Sequence, residues 1–131
     1  MIATAPFRLT ILAGLAASLA GAALAPPPAA RQACFYAKNA DNFVAVDDRT
    51  VNVRVGVGQV YRLKLFASCV GVAFAQSIAL RSSPGSFICS GSGNGVDLFI
   101  RTSTGPQRCP VTAIRKLSAA EIAAMPKKQR P

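Results

Sequence analysis

The 131-residue sequence contains no histidine and no tryptophan, and its only carboxylate side chains are Asp41, Asp47, Asp48, Asp97 and Glu121. Without histidine it lacks the side chain that titrates near neutral pH unaided, and with it the usual general base and activator of a serine or cysteine nucleophile. Asp47 and Asp48 are adjacent, which on a strand sends them to opposite faces; followed by Arg49-Thr50 they read as a turn rather than an acid/base pair. Serines cluster at 82, 83, 86, 90 and 92, but none has a partner in sequence that would activate it. An enzyme is therefore not expected, and no catalytic residue, metal ligand or cofactor is assigned.

Long apolar runs are also scarce, and the one present is residues 9–25, LTILAGLAASLAGAALA. Arg8 supplies a charged entry and small residues close the run, the pattern of a secretory signal. At 17 residues of mostly alanine, leucine and glycine, the run is shorter and weaker than the roughly 20 residues a membrane-spanning helix uses. A retained anchor is the lesser reading. Ala23-Leu24-Ala25 offers small residues for cleavage, but Pro26 follows, so cutting after Ala20 or Ala22 is an alternative. No cysteine ends the run, so a lipoprotein attachment signal is missing. The reading is an exported protein, periplasmic or secreted, with a signal peptide at 1–25 and a flexible proline and alanine leader at 26–33.

What the chain does have is four cysteines, Cys34, Cys69, Cys89 and Cys109. An even count in an exported chain predicts two disulfides, because the destination is oxidising and a small core gives little surplus stability. No CxxC pair exists and no histidine could complete a mixed zinc set. A four-thiolate metal site is the disfavoured alternative, since export removes the reducing conditions it needs. Any bridge would close a loop of at least 20 residues, which the chain-entropy model values at about 3 kcal/mol.

From Cys34 the apolar residues recur with period two. Val51, Val53, Val55 and Val57 alternate with Asn52, Arg54, Gly56 and Gly58, and Tyr61, Leu63 and Leu65 alternate with Arg62 and Lys64. These are half-buried strands, and the Gly56–Gly58 segment between them predicts a hairpin. Residues 69–81 are apolar almost throughout and predict a strand or short helix leading into a strand at Ser77–Arg81. Ser82-Ser83-Pro84-Gly85 is a turn, Ser86–Ser90 and Val96–Arg101 are strands, Thr104-Gly105-Pro106 is a turn, and Val111–Leu117 is the last strand. The stretch GSGNG, residues 91–95, leads into a strand rather than a helix and carries no lysine followed by serine or threonine. It reads as a hairpin turn around Asn94-Gly95, not a phosphate loop. Ser118 with Glu121 is a capping box opening a short helix over Ala119–Met125, stopped by Pro126 and followed by a charged tail, KKQRP, expected to be disordered. The fold class is mainly β: a small antiparallel barrel or sandwich of about six strands over 34–117, with a short C-terminal helix and basic tail at 118–131.

The remaining signal is charge. Removing Arg8 with the signal leaves 14 basic residues against five acids, a formal charge of +9. Such a field favours polyanions or anionic surfaces, in a cell envelope lipopolysaccharide, anionic lipid or wall polymer. The candidate anion-binding residues are Arg62, Lys64, Arg81, Arg101, Arg115 and Lys116, together with the tail. Tyr61-Arg62-Leu63-Lys64-Leu65-Phe66 interleaves aromatic and basic residues as single-strand binders do, but nucleic acid is the weaker idea. Basic residues alternating with apolar ones are also what the wet face of any strand looks like.

Cys34-Phe35, then Asp47-Asp48-Arg49-Thr50-Val51, Tyr61-Arg62-Leu63, Leu65 through Cys69, Ile78-Ala79-Leu80, Ile88-Cys89, and Cys109-Pro110-Val111 with Ile114 and Leu117 follow in an order that resembles a group of small exported proteobacterial proteins. That group is domain of unknown function 6491, and the resemblance covers residues 34–117. Its members commonly carry an acidic residue shortly after the third cysteine, where this chain has Ser90-Gly91-Ser92. The resemblance implies export and a bridged β fold, and no chemistry. Four cysteines allow three pairings; the preferred one joins Cys34 to Cys109, tying first strand to last, and Cys69 to Cys89. The functional expectation is a non-enzymatic binding or structural domain at the envelope, with a polyanion-binding module as the alternative.

Overall fold

The structure, a computed structural model, describes residues 32–131. The signal expected at 1–25 and most of the leader lie outside the described residues. The strands are β1 (Cys34–Tyr36), β2 (Ala40–Asp47), β3 (Thr50–Val55), β4 (Gln59–Leu65), β5 (Ile78–Ser82), β6 (Phe87–Cys89), β7 (Gly91–Ser92), β8 (Val96–Thr102) and β9 (Gly105–Lys116), followed by one helix, α1 (Ala119–Ala124).

Period-two alternation becomes strand where it was expected. Val51, Val53 and Val55 enter the core from β3, and Tyr61, Leu63 and Leu65 from β4. Gly56 and Gly58 both take positive φ and make the hairpin turn. Val57 does not continue the buried row: it sits at the tip of that turn, fully exposed. All pairings are antiparallel, and seven strands form one curled half-barrel in the order β2-β3-β4-β9-β8-β5, with β7 added beside β9. A separate two-stranded ribbon, β1-β6, sets Phe35 against Tyr61 with ring centroids 4.5 Å apart. The fold is thus mainly β, as expected, but has nine strands: the strand expected at Ser86–Ser90 is β6, whereas β1 and β7 have too few residues to show a period and β2, whose burial does not alternate, shows none.

Strand β9 shapes the half-barrel. Its first part pairs with β8 from Thr102↔Gly105 to Asp97↔Pro110, and its second part pairs with β4 from Leu65↔Val111 to Tyr61↔Lys116. The last strand was expected only from Val111, after a turn at Thr104-Gly105-Pro106. Over 105–110 β9 has a strand neighbour on one side only, which is where a strand accepts proline. Between Cys69 and β5 the chain makes a 3₁₀ turn at Val72–Phe74, the short helical option. GSGNG is a packed turn: a Cβ at Gly93 would lie 2.5 Å from the Val111 carbonyl oxygen, and one at Gly95 2.5 Å from that of Ser83. Backbone fills the space a phosphate would need.

The cysteines pair as Cys34–Cys89 and Cys69–Cys109, which corrects the expected Cys34–Cys109 and Cys69–Cys89. The reason is topological. β1 does not join the main sheet but lies on β6 with Cys34 directly opposite Cys89, while the loop after β4 crosses β9, where the Phe66 amide donates to the Pro110 carbonyl and holds Cys69 beside Cys109.

The tail is also a correction. Ser118 and Glu121 form the capping box of α1 as expected, but the residues after Pro126 are ordered, with a 3₁₀ turn at Lys127–Gln129. Arg130 donates to the carbonyls of Met125 and Ala123, capping the open end of α1. Val60, Leu117 and Met125, with Ile122 packed against them, bury a second, small core on the outer face of the sheet. No helix among the described residues is long and apolar enough to cross a membrane.

Candidate anion-binding surfaces

The six basic residues singled out from sequence do not converge. Arg62 and Arg115 are direct cross-strand neighbours on β4 and β9. Lys64 lies one outer row along, opposite Thr50 on one side and Ala113 on the other. Arg81 and Arg101 belong to β5 and β8, and Lys116 follows Arg115 opposite Tyr61. Two sites result, one in each half of the curled sheet.

In the β4–β9 half Arg62, Lys64 and Arg115 have protein partners. Arg62 Nε donates to Asn52 Oδ1 at 2.9 Å, Lys64 Nζ to Thr50 Oγ1 at 2.9 Å, and Arg115 Nη1 to Glu121 Oε1 at 2.5 Å. Asn52 in turn donates to the Gln129 carbonyl at 2.9 Å and is completely buried under Met125 and the tail. Glu121 carries two duties. Its carboxylate accepts from the Ser118 backbone N–H and from the Arg115 guanidinium, and these hold its pKa below the ordinary value of 4.5. Arg62, Arg115, Glu121, Met125 and Gln129 line a shallow cavity of about 290 Å³ between the sheet and the C-terminal segment.

In the β5–β8–β9 half an aromatic ring sits among arginines. The Arg81 guanidinium stacks 5.1 Å from the Phe99 centroid, Arg108 lies directly across from Phe99, and Arg101 follows two residues along the same strand. Arg108 Nε pairs with Asp97 Oδ2 at 3.0 Å, and Asp97 also faces Arg81 in register. Three cations and a single carboxylate thus lie on one face around a half-buried ring, an arrangement suited to an extended anion. Phe99 was expected on the strand Val96–Arg101, in one row with Asp97 and Arg101, but was not counted in a site, and Arg108 escaped the sequence reading because the turn was placed over 104–106 and the strand after it only from 111. Extending that period-two row across the hairpin reaches Arg108.

The interleaved run from Tyr61 to Phe66 does not make a stacking platform. Tyr61 is buried against Phe35, whereas Phe66 projects from the loop that follows β4. Asp47 and Asp48 serve the β2–β3 turn: Asp47 Oδ1 accepts from the Arg49 amide at 2.8 Å, which lowers its pKa, and Asp48 accepts from the Ser68 hydroxyl.

The sequence profile described as Family of unknown function (DUF6491) matches residues 5–131. No curated protein and no solved structure matches the chain.

Proposed function

We propose, for a chain that belongs to the Family of unknown function DUF6491, a role as an exported, non-enzymatic β domain that binds or braces a component of the cell envelope. The observation that carries this reading is the pair of disulfides, Cys34–Cys89 and Cys69–Cys109, which leave no free cysteine among the described residues. Bridges of this kind persist outside the reducing cytosol, and the apolar run at 9–25 supplies a route out. Bridged cysteines offer no thiolate, Asp47 is occupied by its own turn, and Asp48 accepts from Ser68 in the loop after β4. Fractionation of expressing cells with intact-mass measurement tests export. The expected product is an extracytoplasmic species lacking the first 20 to 25 residues; a cytoplasmic species beginning at Met1 would remove the proposal.

A second reading, binding of an anionic polymer, draws on the Arg81–Phe99–Arg101–Arg108 face. Retention on heparin or lipopolysaccharide should then fall steeply with added salt, since each phosphate or sulfate contact releases counterions. Replacing Arg81 and Arg108 by glutamine should weaken retention and reduce the salt slope by about two. Retention no stronger than that of a charge-matched control protein would discard it.

A further inference from the structure

We propose that the cavity between Arg62 and Arg115 is a binding site for a small oxyanion, a carboxylate or phosphate group, held by the two guanidinium groups. Three features carry this. First, Arg62 and Arg115 are cross-strand neighbours on the outer face, and like charges directly opposite each other destabilise a sheet unless a counter-charge lies between them. One carboxylate, Glu121, answers two guanidinium groups, and it pairs with Arg115 alone. Second, Arg62 is already aimed. Its Nε is fixed by Asn52 Oδ1, and Asn52 is fixed by the Gln129 carbonyl and buried. Neither Nη nitrogen of Arg62 has a hydrogen-bond partner among the described residues, which leaves one edge of the guanidinium free for a bidentate acceptor. Third, both arginines line the same cavity of about 290 Å³, at the lower limit of ligand pockets, so the ligand is small.

Asn52 is a positioning residue and does not touch the ligand. Glu121 competes with the ligand for Arg115 through a contact at 2.5 Å, so binding is tuned by the helix that carries this carboxylate. The site is separate from the Arg81–Phe99 face, and its ligand is a single oxyanion rather than a polymer, so each can fail without the other.

The test is titration of the whole bridged protein with inorganic phosphate in one arm and butyrate in another, following arginine side-chain N–H resonances and keeping ionic strength constant. Shifts of the Arg62 signal that saturate on the order of 1 mM, in either arm, support the site and identify its class of ligand. Glu121→Gln keeps a glutamine able to close the capping box while freeing Arg115, and should tighten binding by up to about fivefold. Arg62→Lys, which retains the charge but loses the fork, should weaken it about tenfold or more. No saturation by about 20 mM in either arm, equal shifts at Arg81, Arg101 and Arg108, or unchanged affinity in Glu121→Gln would each overturn the proposal.

Discussion

Asn52 shows how a single residue can be read correctly and still mislead. It alternates with Val51 and Val53, so it belongs on the outer face of β3, and it is there; yet it is wholly buried, because α1 and the tail cover that face. Its side chain donates to the Gln129 carbonyl and accepts from Arg62, so it links the sheet to the C-terminal segment. Asn52→Ala should lower stability by about 1–3 kcal/mol, because a partly buried carbonyl and a guanidinium both lose a partner; urea unfolding with both disulfides intact measures it. Gly93 makes a similar point in the GSGNG stretch. Glycine there is required by contact with the Val111 backbone and not by a ligand, so Gly93→Ala should cost about 1–3 kcal/mol, a loss visible in the same unfolding curves.

At the scale of elements, the hairpin β3–β4, the turn at Asp47–Thr50 and the start of α1 were legible because each depends on neighbours in sequence: alternation, turn formers, and Ser118 three residues before Glu121. The ordered tail was not legible. KKQRP has the composition of a solvated end, and its order comes from Arg130 meeting the last carbonyls of α1 and Gln129 meeting Asn52, contacts that composition does not encode. Helix α1 should respond to acid in a defined direction. The Glu121 carboxyl is held below 4.5 first by the Ser118 amide and then by Arg115. A depressed carboxylate stabilises the fold above its unfolded pKa, and that contribution is lost as pH falls through the folded value. The protection factors of the α1 and tail amides against exchange should therefore fall as the pH drops below the ordinary carboxylate value of 4.5, while Glu121→Gln should remove that acid step; an unchanged profile in this variant would show that the carboxylate does not hold the helix. Ser118→Ala should loosen the same segment by about 1 kcal/mol.

For the whole molecule, mainly β architecture, two bridges and a terminal helix could be read from the chain, whereas the pairing of Cys34 and the approach of Arg81, from β5, to Phe99 could not. Both depend on which strands lie side by side. β1 leaves the main sheet for β6, and β9 changes partner midway from β8 to β4, and no local pattern in either strand announces this. The same topology explains why the sequence-based list of cations splits into two sites. It also sets the value of the crosslinks. They span 55 and 40 residues, and in the chain-entropy view each removes about 4 kcal/mol of freedom from the unfolded chain. Replacing Cys34 and Cys89 together by serine should therefore cost up to about 4 kcal/mol, a large part of the stability of a small domain; calorimetry of the double variant against the parent measures it.

The most direct measurement is peptide mapping, without reduction, of protein isolated natively from the cell. The fold and the proposed export together predict one peptide joining Cys34 to Cys89 and another joining Cys69 to Cys109, with no thiol available to an alkylating reagent. Four alkylated cysteines, or a peptide joining Cys34 to Cys109, would contradict them.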